Sequence, residues 1–64
     1  MINRISVDPN IHFGKPCVAG TRIPVQDVLE LVNAGLSIEI TVSEYYSDLK
    51  PDDVRACIRF RSAH

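Results

Sequence analysis

Nowhere in these 64 residues do 18 apolar residues follow one another, so no membrane-spanning helix is expected. Met1-Ile2-Asn3-Arg4 lacks the long apolar stretch of a secretory leader, and a cytoplasmic chain is the expectation. Cysteine is scarce. Cys17 and Cys57 lie far apart among apolar neighbours and read as two small buried thiols rather than a disulfide in a reducing compartment. With His12 and His64 they are the right types for a metal, but no C-x-x-C or H-x-x-x-H spacing exists, so no metal is expected. Neither histidine has a serine or cysteine beside it in sequence to form a nucleophile–base pair. Gly14-Lys15-Pro16 lacks the rest of a phosphate-binding loop and reads as a turn. Asp52-Asp53 reads as a pair of charges at a helix start rather than as catalytic carboxylates. Neither catalysis nor a cofactor is expected. No internal repeat or low-complexity segment is present.

What is there is a small apolar domain with uneven charge. Apolar residues make up 45 %, too many for a disordered tail. A chain this short hides only ~60 % of its unfolded surface. It must be a very compact bundle or share its core with a partner, and the second is favoured as a homodimer. The net charge of -1 conceals an asymmetry. Residues 25–49 carry Asp27, Glu30, Glu39, Glu44 and Asp48 with no base, whereas residues 50–64 carry Lys50, Arg55, Arg59 and Arg61 against Asp52 and Asp53. Such a layout suits a basic helix on an acidic body, or contacts between oppositely charged chains. It falls short of the strongly basic composition of a dedicated nucleic-acid binder.

In chain order, Ile5-Ser6-Val7, Ile11-His12-Phe13, Cys17-Val18-Ala19 and Thr21-Arg22-Ile23 are brief strand-like runs separated by Asp8-Pro9-Asn10, Gly14-Lys15-Pro16 and Gly20. Val25, Val28, Leu29 and Val32 then recur at i, i+3, i+4 and i+7, predicting a helix that begins at about Pro24 to Gln26. Gly35 fits its left-handed C′ position. Ser37 is a good N-cap for a second helix. Residues 38–46 satisfy two templates. Ile38, Ile40 and Val42 alternate as in a strand, while Ile38, Val42 and Tyr45 share a helical face. The cap signals and short spacing favour a helix. A third helix opens at Pro51, the N1 position of a helix, with Lys50 as N-cap, Asp52 and Asp53 in the first turn, and Leu49 and Val54 spaced as a hydrophobic staple. Val54, Cys57 and Ile58 face inward, and Arg55, Arg59 and Ser62 lie together outside.

Asp8-Pro9, Gly14-Lys15-Pro16-Cys17-Val18, Gly20-Thr21-Arg22-Ile23-Pro24-Val25, Gly35-Leu36-Ser37-Ile38, Tyr45-Tyr46, Asp48-Leu49 and Asp53-Val54-Arg55-Ala56 resemble domain-of-unknown-function family four-three-three, from about Ile5 to Phe60. The resemblance implies a mainly α, three-helix, helix-turn-helix-like (homeodomain-like) bundle over residues 24–64 behind a short β arm over residues 1–23, often dimeric. It also implies an antitoxin role beside a PIN-like ribonuclease toxin. Three positions depart from the family's pattern. Ile40 replaces an acid that would complete a capping box, Ser47 replaces a proline, and Lys50 replaces a Thr or Ser cap.

Two sets of residues therefore become candidates for binding. Lys50, Arg55, Arg59 and Arg61 would read DNA if the third helix enters the major groove; the alternative is a solvated basic face or pairing with acids of another chain. Ile5, Val7, Phe13, Val18, Arg22 and Ile23 would form the arm's contact with a second copy or a partner. For Arg22 the favoured alternative is an ion pair with Asp8, Asp27 or Glu30 that locks the arm to the first helix. Of Tyr45 and Tyr46, one ring is expected in the core and the other at an edge or dimer contact. The expected function is a non-catalytic antitoxin that binds and neutralises a PIN-like ribonuclease, with its own promoter DNA as a further partner. A stand-alone dimeric DNA-binding regulator is the alternative.

Overall fold

The computed structural model describes residues 4–62. Strand β1 (Ile5–Ser6) pairs antiparallel with β2 (Cys17–Val18), Ile5 opposite Val18 and Ser6 opposite Cys17. Helices α1 (Val25–Asn33), α2 (Ile38–Ile40, continued by a π-helical turn over Thr41–Tyr45) and α3 (Pro51–Ser62) come next along the chain. The result is a small helical bundle with a short two-stranded sheet at its N-terminal side.

Helix α1 forms where the apolar spacing predicts it. Val25 and Val28 are buried, Leu29 and Val32 pack half-buried beside them, and Gln26, Asp27, Glu30 and Asn33 are exposed. Its end is set by Gly35, whose φ of +94° is costly for any residue with a Cβ. The Gly35 N–H donates to Val32 C=O (3.0 Å) and the Leu36 N–H to Leu31 C=O (3.2 Å), the bond pair that closes a helix C-terminus.

The segment after α1 is helical rather than extended. Ser37 caps it by accepting the Ile40 N–H at 3.1 Å. Ile40 has no carboxylate to return that bond; instead the Thr41 hydroxyl donates to Ser37 C=O at 2.9 Å, which lets Thr41 be fully buried with its polar atom satisfied. Of the shared helical face Ile38, Val42 and Tyr45, only Ile38 and Val42 pack against the core. The Tyr46 N–H reaches back five residues to Thr41 C=O at 3.0 Å, so the turn is wider than α. The wider turn delays the side-chain phase. Tyr46 packs half-buried against the core, and Tyr45 points outward at 55 % exposure.

Helix α3 begins as its sequence suggests. The Lys50 N–H donates to Asp53 Oδ2 at 2.9 Å, the return half of a capping box. Leu49 and Val54 are both buried. The inward face is Val54, Ala56 and Cys57, with Ile58 half-buried. These close the core with Ile5, Val18, Val25 and Val28. Cys17 and Cys57 are free buried thiols; burial first, then the charge of Asp53, pushes the Cys57 thiol up to about 11, so little thiolate exists at neutral pH.

Two of the four strand-like runs are not strands. Ile11-His12-Phe13 enters a 3-10 turn over His12–Gly14 in which His12, Phe13 and Gly14 all have positive φ (50°, 57° and 85°). The Gly14 N–H to Ile11 C=O (3.1 Å) and Lys15 N–H to His12 C=O (3.1 Å) bonds hold it. Such a conformation costs roughly 1–2 kcal/mol for each residue bearing a Cβ, so surrounding contacts must enforce it. Thr21-Arg22-Ile23 forms no strand; just after it an isolated bridge pairs Cys17 with Pro24, flanked by Val18 N–H to Ile23 C=O (2.9 Å) and Val25 N–H to Pro16 C=O (2.9 Å). Pro24 has no N–H to extend the ladder.

Candidate functional site

The four basic residues of the third-helix region have different environments. The Arg55 guanidinium donates from Nη1 to Asp52 Oδ1 at 2.7 Å, one turn before it, with both side chains well exposed. Arg61 turns toward α1 and donates from Nη1 to Asn33 Oδ1 at 2.8 Å. Arg59 is exposed and has no ion pair among the described residues. Lys50 is exposed beside the carboxylates of Asp52 and Asp53 at the start of the helix. The basic face is therefore partly neutralised by its own acids.

The arm divides in two. Ile5 and Val18 are 5 % and 1 % exposed, inside the chain's own core, and offer no side chain to a partner; Val7 and Phe13 are 62 % and 100 % exposed. Ile23 is half-buried against the core. Arg22 is exposed, and its expected partner among Asp8, Asp27 and Glu30 is not found: no ion pair joins it to them among the described residues. Its backbone carbonyl instead accepts a hydrogen bond from His12 Nε2–H at 2.8 Å, tying the His12–Gly14 turn to the strand-like run.

The latch expected of Arg22 is made by Arg4. Its Nη1 donates to Asp53 Oδ1 at 2.9 Å, and its Nη2 stands 4.0 Å from Asp52 Oδ2. The arm is thus pinned to α3 rather than to α1. Asp53 is the hub, one oxygen on the Lys50 N–H and the other on Arg4. Burial would raise its pKa, but the Lys50 N–H and the Arg4 guanidinium outweigh it and hold the carboxyl below its ordinary value. The sequence showed Asp53 only as a helix-start charge, because nothing local marks a partner 49 positions away.

Two further surfaces emerge. All five acids of residues 25–49 are exposed, and none has an ion pair or a side-chain hydrogen bond among the described residues. Asp27 and Glu30 lie close enough to Tyr46 that, after burial, their charges push its hydroxyl pKa up. The second surface is a cleft of about 490 Å³ walled by Pro16, Pro24, Val25, Leu29 and Phe60, with Lys15 and Glu30 among its charged lining. Leu29 and Phe60 sit at the edges of their helices' apolar stripes and remain half-buried there.

Among the described residues no three of His, Cys, Asp and Glu gather as a metal-binding group, and no helix is long and apolar enough to cross a membrane. His64 lies outside the described residues.

This architecture, a two-stranded arm beside three helices, is similar to that of known proteins. The family profile "Protein of unknown function (DUF433)" matches residues 5–60. The chain belongs to the DUF433 family. Among solved structures it is similar to a DUF433 member protein from Anabaena variabilis, with a TM-score of 0.83 and 22 % identity over 97 % of this chain and 60 % of that one. It is also similar to Rv2018 from Mycobacterium tuberculosis, with a TM-score of 0.71 and 28 % identity over 84 % of this chain and 24 % of that one. The chain thus spans less than two thirds of either relative. No curated protein matches it.

Proposed function

We propose that this chain is the non-catalytic antitoxin of a toxin–antitoxin pair, acting in the cytoplasm as a homodimer that neutralises a PIN-like ribonuclease. The observation that carries the reading is the set of exposed carboxylates of Asp27, Glu30, Glu39, Glu44 and Asp48, without ion pairs among the described residues, two of them beside Tyr46. A ribonuclease must hold a polyanion, so its substrate surface is cationic. An acidic, aromatic-bearing body of RNA-like charge is complementary to that surface and excludes the substrate. The tagged chain, purified from its native host, is expected to carry a PIN-like ribonuclease identifiable by mass spectrometry, and to suppress that enzyme's cleavage of RNA. Asp27→Lys combined with Glu44→Lys is expected to weaken inhibition roughly 10- to 100-fold, mostly at low salt. Undiminished inhibition by that double variant would reject the acidic surface.

One observation favours promoter DNA as a second ligand. Arg59 is exposed without an ion pair among the described residues, one helical turn beyond Arg55. On that reading α3 enters the major groove, and Arg55→Ala with Arg59→Ala abolishes a salt-dependent shift of the chain's own promoter fragment. A shift that survives the double substitution removes α3 from the role. Loss of DNA binding with inhibition intact would leave the antitoxin reading whole.

A further inference from the structure

We propose that the outward face of α2 with its π-helical turn is a docking surface, and that its occupant is a basic amphipathic helix whose apolar side chains cover Ile40 and Tyr45. That the occupant belongs to a ribonuclease rests on the antitoxin reading; the surface itself does not. Among the described residues four large apolar side chains stand exposed, and two of them, Ile40 at 43 % and Tyr45, fall in this one segment. Burial fixes the face. Ile38, Thr41, Val42 and Tyr46 turn toward the core. The residues between them, Glu39, Ile40, Ser43, Glu44 and Tyr45, are all exposed and share the opposite side.

The local structure gives up stability to present this pair. Ser37 accepts the Ile40 N–H at 3.1 Å, which makes residue 40 the position where Glu or Gln would return a bond to the cap. Isoleucine cannot return it, is stiff in a helix, and leaves its side chain in water. The chain then runs through a π-helical turn over Thr41–Tyr45, a rare geometry found mostly as single turns, frequently at functional sites. Its bonds span five residues, so Tyr45 comes round one turn beyond Ile40 on that face. Charge selects the occupant. Every charge in residues 25–49 is negative, and Glu39 and Glu44, next to Ile40 and Tyr45 in sequence, have no ion pair among the described residues. Such a rim repels nucleic acid. A segment carrying Arg or Lys beside apolar side chains complements both the acids and the apolar pair, and Arg also stacks on a tyrosine ring. The segment is helical and offers side chains but no strand edge. Its occupant must therefore satisfy its own backbone, as a helix does.

Fluorescence anisotropy of the full chain with a labelled designed helix, leucines on one face and arginines on the other, tests this without any ribonuclease, so its failure and that of the antitoxin reading are separate results. Saturable binding is expected. A scrambled peptide of the same composition has no apolar face and should bind about 10-fold more weakly. Ile40→Gln leaves every charge in place and completes the capping box, so the melting temperature should hold or rise while the designed helix binds about 10-fold more weakly. Tyr45→Ser should weaken binding at least as much, and Tyr45→Phe little. No binding by the wild type, equal binding of the two peptides, or full binding by Ile40→Gln and Tyr45→Ser overturns the proposal. So does sedimentation equilibrium in which those two substitutions turn a dimer into a monomer, because the face would then belong to a second copy.

Discussion

Val28→Asp is expected to leave the chain without its native fold at 25 °C. Val28 is fully buried at the centre of α1, in one cluster with Val18, Val54 and Cys57. None of the core residues around it brings a positive charge to pair an introduced carboxylate. An unpaired buried charge costs several kcal/mol. A domain of this length holds roughly 3–10 kcal/mol in all, so the substitution exhausts the stability. Val28→Ala is the graded control. It removes two methyl groups and leaves a small cavity, for about 2 kcal/mol, which lowers the melting temperature by roughly 8–16 °C in a domain this small. Far-UV circular dichroism checks both. A native helical spectrum with unchanged melting in Val28→Asp would show that α1 does not face the core in this way.

Asp53→Ala is expected to cost about 2 kcal/mol, because it removes the bond to the Lys50 N–H and the charge-assisted bond to Arg4 together. Asp52→Ala, by contrast, removes only exposed pairs with Arg4 and Arg55 and should cost under about 0.5 kcal/mol. Asp53 also sets part of the acid sensitivity. Its folded pKa lies below the ordinary value; burial opposes the shift, and the Lys50 N–H and Arg4 overcome it. The depressed carboxyl therefore contributes stability above its unfolded pKa of about 3.9, and that contribution is lost as pH falls through the lower folded value. Urea titrations at about pH 7 and about pH 3 should show the wild type losing stability, and Asp53→Asn, weaker at neutral pH, losing less of it. Parallel acid losses in the two proteins would mean that the Arg4–Asp53 latch is not formed.

Much of the helical framework was legible because its determinants are local. Val25, Val28, Leu29 and Val32 announce α1, Gly35 closes it through its positive φ, Ser37 caps α2, and Pro51 opens α3. Misreadings arose where two local templates compete. Alternation in Ile11-His12-Phe13 looks like a strand, yet the chain there turns through three consecutive left-handed residues, a conformation with no signature except Gly14. The π-helical turn at Thr41–Tyr45 chose Tyr46 rather than Tyr45 for the core and buried a threonine, which pattern alone left open, since a one-residue change in hydrogen-bond span rotates every later side chain.

Residue order alone settled both ends of α1 and where α2 and α3 begin, because caps, periodicity and proline geometry act within a few positions. Which carboxylate meets Arg4, which tyrosine turns inward, and that Phe13 stands exposed were decided only in three dimensions. Those outcomes join segments tens of residues apart, and a contact across such a loop depends on how the whole core closes rather than on either end of it.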